Sequence, residues 1–356
     1  MMEILETITG LSHEFGTADY VQAGGGNTSC KDEAFLWVKP SGTTLAGMTA
    51  ATFVKMDRAK LRELYLVPTP TEAKVREALV SQMMAAAVEC GTSARASVEA
   101  PLHESLSARF VVHTHPAWMN GLTCAMAGAV AAGRLFPEAL WIPYTDPGYT
   151  LCMVARKMIQ EYKAAHGREP TVLILENHGV FVCGETAEEV RERMAVLRGT
   201  LENVYSVAQA PSPVAKNIVN TAEGGCATLV RILAEALGAE GACCVAVPRF
   251  EVANGALTPD HIVYAKSYLF DGAVTVENLR AFVRVRGYAP RVVVTPECVI
   301  GVGATEKVAR LALTLAQDAG QIQTLARAFG GVKFLDDRSR SFIENWEAES
   351  YRQKQG

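Results

Sequence analysis

Apolar positions in the first two thirds of the chain follow two patterns, helical spacing and short unbroken runs. Helical spacing predicts an N-terminal helix over residues 1–15, a helix from Thr71 to Cys90 and a third that starts at Thr186. The apolar positions that set these helices are Ile4, Leu5, Ile8, Leu11 and Phe15, then Val75, Leu79 and Met83, then Val190, Met194, Leu197, Leu201 and Val204. Glu189, three residues after Thr186, is typical of a capping box. Unbroken apolar runs predict buried strands at residues 35–38, 110–112 and 172–175.

The last third of the chain repeats this mixture of elements. It predicts a helix at Thr228–Leu237, strands at Cys244–Val247 and Arg291–Val294, and a long helix after Thr305. A loop with two prolines, Ala210 to Pro213, is typical of a domain boundary. The sequence therefore predicts an α/β protein with a first domain at residues 1–210 and a smaller C-terminal α/β domain at residues 211–356.

One segment pattern occurs in both predicted domains. Residues 172–186 and 291–305 each run as an apolar strand, a polar break, a second apolar strand, Gly-x-Thr and a helix. In this register His178 falls on Glu297. A degenerate duplication and the chance recurrence of a common strand–turn–strand–helix unit both stay open, and either explanation places the chemistry in the first domain.

Composition and charge exclude several classes of protein. Of 356 residues, 49% are hydrophobic, and the net charge is −4 without a basic run, so a nucleic-acid surface is not expected. The N-terminus lacks the features of a signal peptide, and no apolar stretch reaches membrane-spanning length. Nine scattered cysteines favour reduced thiols over a disulfide framework. We therefore expect a cytoplasmic protein without a membrane partner.

The strongest candidate for chemistry is His113-Thr114-His115, directly after an apolar run. Side chains two residues apart on a strand share a face, so both imidazoles can bind one ion. His178 follows another apolar run and is the natural third ligand. Three histidines leave one coordination position open, as in catalytic zinc sites, although Co²⁺, Mn²⁺ and Fe²⁺ also accept these ligands. An ordinary pair of polar residues at a strand edge would explain His113 and His115 equally well.

Glu99 lies upstream of the histidines, in Ser97-Val98-Glu99. A carboxylate near a metal can ligate it and, once displaced by substrate, can take a proton from the carbon next to a metal-bound carbonyl. A charge at a helix N-terminus, stabilised by the helix dipole, would account for the same residue. Spacing alone does not separate these two interpretations.

Two turns rich in hydrogen-bond donors form a second candidate site. Residues 24–26 are consecutive glycines, whose backbone N–H groups can turn toward one anion, and Asn27 and Thr28 add side-chain donors. Ser41 and Gly42 lie in a similar turn after the run 35–38. Together these turns predict a phosphate site without a Walker or Rossmann motif. An ordinary hairpin loop is the alternative.

Taken together and in this order, these motifs resemble the class II aldolase/adducin family. The resemblance spans roughly residues 1 to 210. It rests on Gly26-Asn-Thr-Ser29, Ser41-Gly42, Ser97-Val-Glu99, His113-Thr-His-Pro116 and Asn177-His-Gly179. Residues 24–29, 36–39, 97–99 and 144–148 further resemble the aldolase half of bifunctional rhamnulose-1-phosphate aldolase/alcohol dehydrogenases. The chain ends before a dehydrogenase domain, so we do not expect dehydrogenase activity.

The resemblance implies a three-layer α/β/α domain and a homo-oligomer, with a ring-like tetramer favoured. It implies reversible retro-aldol cleavage of a sugar phosphate or related keto sugar through a metal-stabilised enediolate. The metal ligands would be His113, His115, His178 and Glu99, with Glu99 also transferring the proton. Phosphate would bind at Asn27, Ser41, Gly42 and Ser97, and Tyr144 would donate a proton in a neighbouring subunit's site.

The same family leaves other functions open. It contains epimerases and decarboxylases, which use the same enolate chemistry, and the metal-free adducins, which are scaffolds. The presence of all three histidines and Glu99 favours an enzyme. The role of residues 211–356 stays open between a cap, an oligomer contact and a remnant of a fused enzyme.

Overall fold

The structure is a computed structural model that describes residues 2–68, 70, 72–89, 94–209 and 227–346. The described chain forms two units, one of residues 2–123 and 127–206 and one of residues 124–126, 207–209 and 227–346. The loop at 210–213, which the sequence suggests as a domain boundary, lies outside the described residues.

The first unit is built on a seven-stranded sheet. Its strands are β1 (Asn27–Lys31), β2 (Phe35–Val38), β3 (Val54–Asp57), β4 (Phe110–Thr114), β5 (Leu140–Ile142), β6 (Val172–Leu175) and β7 (Gly179–Gly184). The strand order is β3-β2-β1-β4-β7-β6-β5, and every neighbouring pair is antiparallel except β5 and β6. The predicted strands at 35–38 and 172–175 are confirmed, and the one at 110–112 extends to Thr114. The sheet is thus largely antiparallel, with β1 and β4 adjacent at its centre.

Among the described residues, eight α-helices accompany this sheet. They are α1 (Met2–Glu14), α2 (Arg58–Glu63), α3 (Ala73–Ala87), α4 (Ala100–Ser105), α5 (Ala117–Thr123), α6 (Gly128–Leu135), α7 (Tyr149–His166) and α8 (Ala187–Val207). One face of the sheet packs against α4 and α7 in a core that includes Leu102, Val111, Leu151, Leu173 and Phe181. The other face meets α1, where the Ser12 and Thr28 hydroxyls lie 2.6 Å apart. Helices therefore lie on both faces of the sheet, as in a three-layer α/β/α domain.

Two of the predicted helices bury different side chains from those expected. In α3 the buried positions are Val80, Met84 and Ala87, while Val75 is half exposed, so the apolar face is shifted by one residue. In α8, Tyr205 is buried instead of Val204, and its hydroxyl donates to the Trp118 carbonyl oxygen. Alternative registers of apolar residues fit the helical period almost equally well, so local spacing did not decide between them.

The capping box predicted at α8 is half confirmed. The Thr186 hydroxyl accepts a hydrogen bond from the Glu189 N–H at 3.2 Å, as that motif requires. The Glu189 carboxylate accepts from the Glu185 N–H rather than from Thr186. The helix still begins where the sequence predicts, because one of its free N–H groups is satisfied at that point.

The second unit contains a four-stranded sheet of order β8-β11-β10-β9. Its elements are α9 (Ala227–Leu237), β8 (Cys243–Pro248), α10 (Pro259–Ala265), β9 (Phe270–Asp271), α11 (Val276–Arg286), β10 (Val292–Val294), β11 (Cys298–Gly303), α12 (Glu306–Ala326) and α13 (Asp337–Asn345). These bounds confirm the mixed α/β character and the predicted helices and strands of this region. None of the described helices in either unit has the length and apolarity needed to cross a bilayer.

The sheet of the second unit repeats part of the first in its topology. The order β8-β11-β10-β9 matches β4-β7-β6-β5, with antiparallel, antiparallel and parallel pairings in both. In the register that aligns His178 with Glu297, the strand pairings align His113 with Ala246 and His115 with Pro248. The second unit thus carries none of the three histidines at the corresponding positions. Common descent of the two units stays a prediction.

Candidate metal centre

His113 is held at the end of β4 by the two strands beside it. It pairs with Asn27 of β1 on one side and with Phe181 of β7 on the other. Its ring is fully buried and stacks on Phe181 at 3.9 Å between ring centroids. The His113 Nδ1 lies 3.0 Å from the Val180 carbonyl oxygen, which can only accept, so Nδ1 carries the proton and donates it. The Nε2 lone pair of His113 is therefore free to face the other side chains of the site.

His178 reaches the same place from the short turn between β6 and β7. Asn177 adopts a left-handed backbone conformation (φ 52°), which asparagine tolerates better than most residues. Gly179, the next residue along, lets the chain pass close to His115, because a Cβ there would lie 2.7 Å from the His115 Cδ2 atom. The Asn120 side-chain amide donates to the His178 carbonyl oxygen at 3.3 Å.

The three histidines converge on one point. Each offers a ring nitrogen, and these nitrogens all lie within 4.8 Å of one another. The Nε2 atoms of His113 and His115 are 2.9 Å apart. Two imidazole nitrogens that close repel each other unless a proton or a cation lies between them. The ring positions therefore suit three ligands of one ion, and the structure brings together the residues that spacing predicts.

Glu99 completes the cluster from the start of α4. Its Oε1 atom lies 3.4 Å from the His113 Nε2 and 3.6 Å from the His178 Nε2. This oxygen is buried and has no hydrogen-bond partner among the described residues. Burial by itself would raise the pKa of Glu99, but the nearby imidazoles hold that pKa well below its usual range. An ionised, unpartnered carboxylate oxygen beside three imidazoles forms a donor set that fits a divalent cation.

The other Glu99 oxygen is held by Asn27. The Asn27 Nδ2 donates to Glu99 Oε2 at 2.6 Å and to the Ser97 hydroxyl at 3.2 Å. The Ser97 hydroxyl also accepts from the Glu99 N–H at 3.3 Å. The structure therefore brings Asn27, Ser97 and Glu99 together, and the Asn27 amide faces the carboxylate.

The two turns that the sequence suggests for phosphate lie beside this group. The Ser97 N–H donates to the Lys39 carbonyl oxygen at 3.1 Å, which aligns the segment before Glu99 with the Ser41–Gly42 turn. Gly42 has a φ of 81° and Gly26 a φ of 64°, both in the region that favours glycine. The buried Lys39 ammonium donates to the Thr43 carbonyl oxygen at 2.6 Å and to that of Gly24 at 3.3 Å. One cation therefore connects the two turns.

Thr28 does not belong to this group. Asn27–Lys31 is a strand, not part of a loop, so Thr28 points to the opposite face from Asn27. Its hydroxyl is fully buried against Ser12 of α1. The prediction that the Thr28 side chain offers a donor to phosphate is corrected by this alternation.

Tyr144 lies at the same edge of the sheet as His178. The two residues follow the parallel strands β5 and β6, and the Tyr144 N–H donates to the Glu176 carboxylate at 2.8 Å. Its role as a proton donor in a neighbouring subunit stays a prediction.

Several residues that support the site were not found by sequence reasoning. His103 is fully buried and hydrogen-bonded to Ser29 and Asn27. Phe181 and Asn120 pack or bond against the histidines. His103 follows Glu99 by four residues, about one helical turn. This spacing was the only feature of the sequence that could have indicated that His103 lies near Glu99.

Comparison with known proteins shows the family of the chain. Residues 6–205 match the family model of the class II aldolase and adducin N-terminal domain. The chain therefore belongs to the class II aldolase/adducin family, as the motifs predict. The match covers the whole seven-stranded sheet and all three histidines.

The individual proteins that this chain resembles share limited sequence identity with it or match only part of its length. A protein of Bacillus subtilis (strain 168), described as the uncharacterized oxidoreductase YuxG, is 31% identical over 175 residues, 46% of this chain and 24% of the relative. The chain thus spans about a quarter of that relative's length. The N-terminal class II aldolase domain of a Thermoplasma acidophilum protein is 22% identical, with 56% and 92% of the two chains covered and a TM-score of 0.48. L-fuculose-1-phosphate aldolase from Thermus thermophilus is 17% identical, with 59% of this chain and 99% of that chain covered and a TM-score of 0.40.

Proposed function

We propose that this protein is a metal-dependent aldehyde-lyase that reversibly cleaves a carbon–carbon bond in a sugar phosphate or related keto sugar. The observation that carries the proposal is the convergence of three imidazoles and one unpartnered carboxylate oxygen on a single point. Membership of the class II aldolase/adducin family supports it.

The donor set favours Zn²⁺, with Co²⁺, Mn²⁺ or Fe²⁺ as alternatives. His113, His115 and His178 would hold the ion, and Glu99 would be a fourth ligand in the absence of substrate. When bound, the ion would polarise the substrate carbonyl and stabilise the negative charge that develops on its oxygen.

Glu99 supplies the group that accepts and returns the proton. Its low pKa keeps it ionised at neutral pH, and Asn27 holds one of its oxygens so that the other faces the histidines. A carboxylate held in this way can take a proton from the hydroxyl or carbon of a substrate at the cluster.

The substrate's phosphate would bind at the neighbouring turns. The Ser41 and Ser97 hydroxyls and the Gly42 N–H are the donors there, since the Ser41 and Ser97 N–H groups already donate to the Arg95 and Lys39 carbonyl oxygens. Lys39 places a positive charge between the turns. Asn27 contributes by orienting Glu99, since its amide is already engaged with that carboxylate. Inorganic phosphate should then compete with a phosphorylated substrate, whereas an absence of competition would indicate an unphosphorylated one.

The deciding experiment combines metal analysis with a panel of ketose 1-phosphates. We expect the purified protein to contain a stoichiometric transition metal and to release dihydroxyacetone phosphate and an aldehyde from at least one substrate. His113→Ala should lose both the metal and the cleavage. Stereoisomers or CO₂ as products, without carbon–carbon cleavage into two carbonyl compounds, would indicate the epimerase or decarboxylase alternative. A metal-free protein with no activity would indicate an adducin-like scaffold.

Tyr144 and the oligomer are tested together. If Tyr144 serves a neighbouring subunit in a homotetramer, His113→Ala and Tyr144→Phe chains are each inactive alone. Mixed oligomers of the two would recover part of the activity, because some sites combine an intact histidine cluster with an intact tyrosine. Light scattering gives the oligomer mass, and a monomer would contradict the shared site.

A further inference from the structure

His103 is hydrogen-bonded at both ring nitrogens, although it is not one of the candidate metal ligands. Its Nδ1 lies 2.7 Å from the Ser29 hydroxyl, and its Nε2 is in contact with the Asn27 Oδ1. Ser29 and Asn27 are on β1, whereas His103 is on α4, a helix that begins just after Glu99. The ring is fully buried, so water does not compete for these two bonds.

The hydrogen bonds from Glu99 through Asn27 and His103 to Ser29 form a chain, and the carboxylate at one end determines the direction of each bond. The Asn27 atom 2.6 Å from Glu99 Oε2 is the donor Nδ2, and the carboxylate oxygen is the acceptor. The Asn27 atom that faces His103 is then the acceptor Oδ1, which requires a proton on His103 Nε2. His103 Nδ1 is left as an acceptor for the Ser29 hydroxyl. Burial holds the pKa of His103 well below its usual range, in agreement with a neutral ring that has one donor and one acceptor.

The His103 donor and the Glu99 carboxylate together fix which way the Asn27 amide faces. Without the donor at His103, the Asn27 oxygen would lose its partner, and only the contact of the amide nitrogen with the carboxylate and Ser97 would hold the side chain in place. With His103 in place, the amide nitrogen holds Glu99 Oε2 at 2.6 Å and leaves Oε1 facing His113 and His178.

A second contact connects His103 to the cluster. The His103 ring meets the Phe181 ring edge to face at 5.3 Å between centroids, and the same Phe181 ring stacks on His113. The backbone at His103 is also held, because the buried Lys31 ammonium donates to the His103 and Leu106 carbonyl oxygens. His103 is thus fixed at its ring and at its backbone.

We propose that His103 is a positioning residue that acts through Asn27 to aim the Glu99 carboxylate at the histidine cluster. The proposal rests on the metal site of the proposed function, but not on the identity of the substrate. The proposal predicts that the loss of the His103 Nε2–H group weakens metal binding even though all four metal ligands are kept.

The test is Co²⁺ titration of the full-length chain, followed by its visible absorption spectrum. His103→Phe keeps the ring size and removes both hydrogen bonds, and we expect a metal affinity about 10- to 100-fold lower than in the wild type. His103→Gln keeps a donor for Asn27 and should recover part of the affinity. Ser29→Ala removes only the outer bond and should show a smaller loss in the same direction, which provides a measurement if His103→Phe does not fold.

Ser12→Ala is the matched control, because it breaks a buried hydroxyl contact to the same strand on the opposite face. It should leave the affinity and the spectrum unchanged. A folded His103→Phe or Ser29→Ala variant with wild-type affinity and spectrum overturns the positioning role, whatever its activity. If the wild type binds Co²⁺ but cleaves no ketose phosphate, the lyase proposal fails while the metal readout still decides the role of His103. A wild type that binds no Co²⁺ overturns both.

Discussion

The Nε2 atoms of His113 and His115 lie 2.9 Å apart, with the Nδ1 of His113 turned away to the Val180 carbonyl. In the tautomers that can bind a metal ion, both nitrogens present lone pairs to the same small volume. Because a cation would relieve this repulsion in the folded state only, bound metal should stabilise the fold. We expect Zn²⁺ at about 100 times its dissociation constant to add about 2.7 kcal/mol to the free energy of unfolding, and a chelator to remove it.

Thermal unfolding with and without metal measures this effect. His178→Ala should lose most of the metal-dependent shift. His166→Ala is the matched control, since this histidine is exposed and stacks on Tyr162, away from the cluster. An equal shift in His178→Ala and the wild type would show that the metal binds elsewhere.

Gly179 is the second position with a clear expectation. An added Cβ would lie 2.7 Å from the His115 Cδ2 and even closer to the Thr114 carbonyl oxygen, so the turn or β4 must move. Gly179→Ala should lower the free energy of unfolding by about 1–3 kcal/mol, as overpacking usually does, and weaken metal binding. Urea denaturation and metal titration measure the two effects.

Gly199, unlike Gly179, has room for a Cβ atom and serves as the comparison. It lies within α8, and nothing is within 4 Å of an added Cβ. Gly199→Ala should therefore stabilise the protein by about 0.5–1 kcal/mol, because alanine loses less backbone entropy in a helix. Equal effects of the two substitutions would contradict the packing described around His115.

Lys31 should give the protein a measurable pH dependence. Burial lowers the pKa of Lys31 to about 8, and nearby Glu104 opposes part of that shift. Between about pH 8 and the ordinary lysine value near 10.5, the unfolded chain binds a proton that the folded chain does not. The free energy of unfolding of the wild type should therefore rise with pH relative to Lys31→Met, by about 3 kcal/mol over this interval.

Denaturant titrations of both chains at several pH values provide the measurement. All other groups titrate in both chains, so the difference isolates Lys31. A difference that is constant from about pH 7.5 to about pH 10.5 would show that the ammonium keeps its ordinary pKa in the folded protein.

The contact between Ser12 and Thr28 can be tested by a double-mutant cycle. Their hydroxyls are fully buried and 2.6 Å apart. The Ser12 hydroxyl donates to the Ile8 carbonyl oxygen at 2.7 Å, so Thr28 is the donor between the two hydroxyls and loses its acceptor in Ser12→Ala. Ser12→Ala and Thr28→Val should each cost about 1–3 kcal/mol, and the double variant should cost less than the sum. Strict additivity would place the Thr28 side chain somewhere other than against α1.

Much of the fold could be read from local periodicity. The runs 35–38 and 172–175 become strands with those bounds, because four apolar residues between polar breaks are too short for a typical buried helix and suit a buried strand. Local periodicity does not determine the buried face of helix α3, which is formed by Val80, Met84 and Ala87 rather than by Val75, Leu79 and Met83. Neighbouring registers of one helix differ little in apolar content, and only the packing of the other elements chooses between them.

The three histidines and Glu99 could be predicted as candidate metal ligands without any coordinates. His113 and His115 share a face because side chains alternate along a strand, and the ordered motifs of the family indicated His178 and Glu99. The separate roles of Asn27 and Thr28 emerged only from tertiary contacts. Adjacent residues on β1 face opposite sides of the sheet, so one holds Glu99 and the other meets α1. His103 likewise gained its place from contacts with residues more than 70 positions away, which local spacing does not encode.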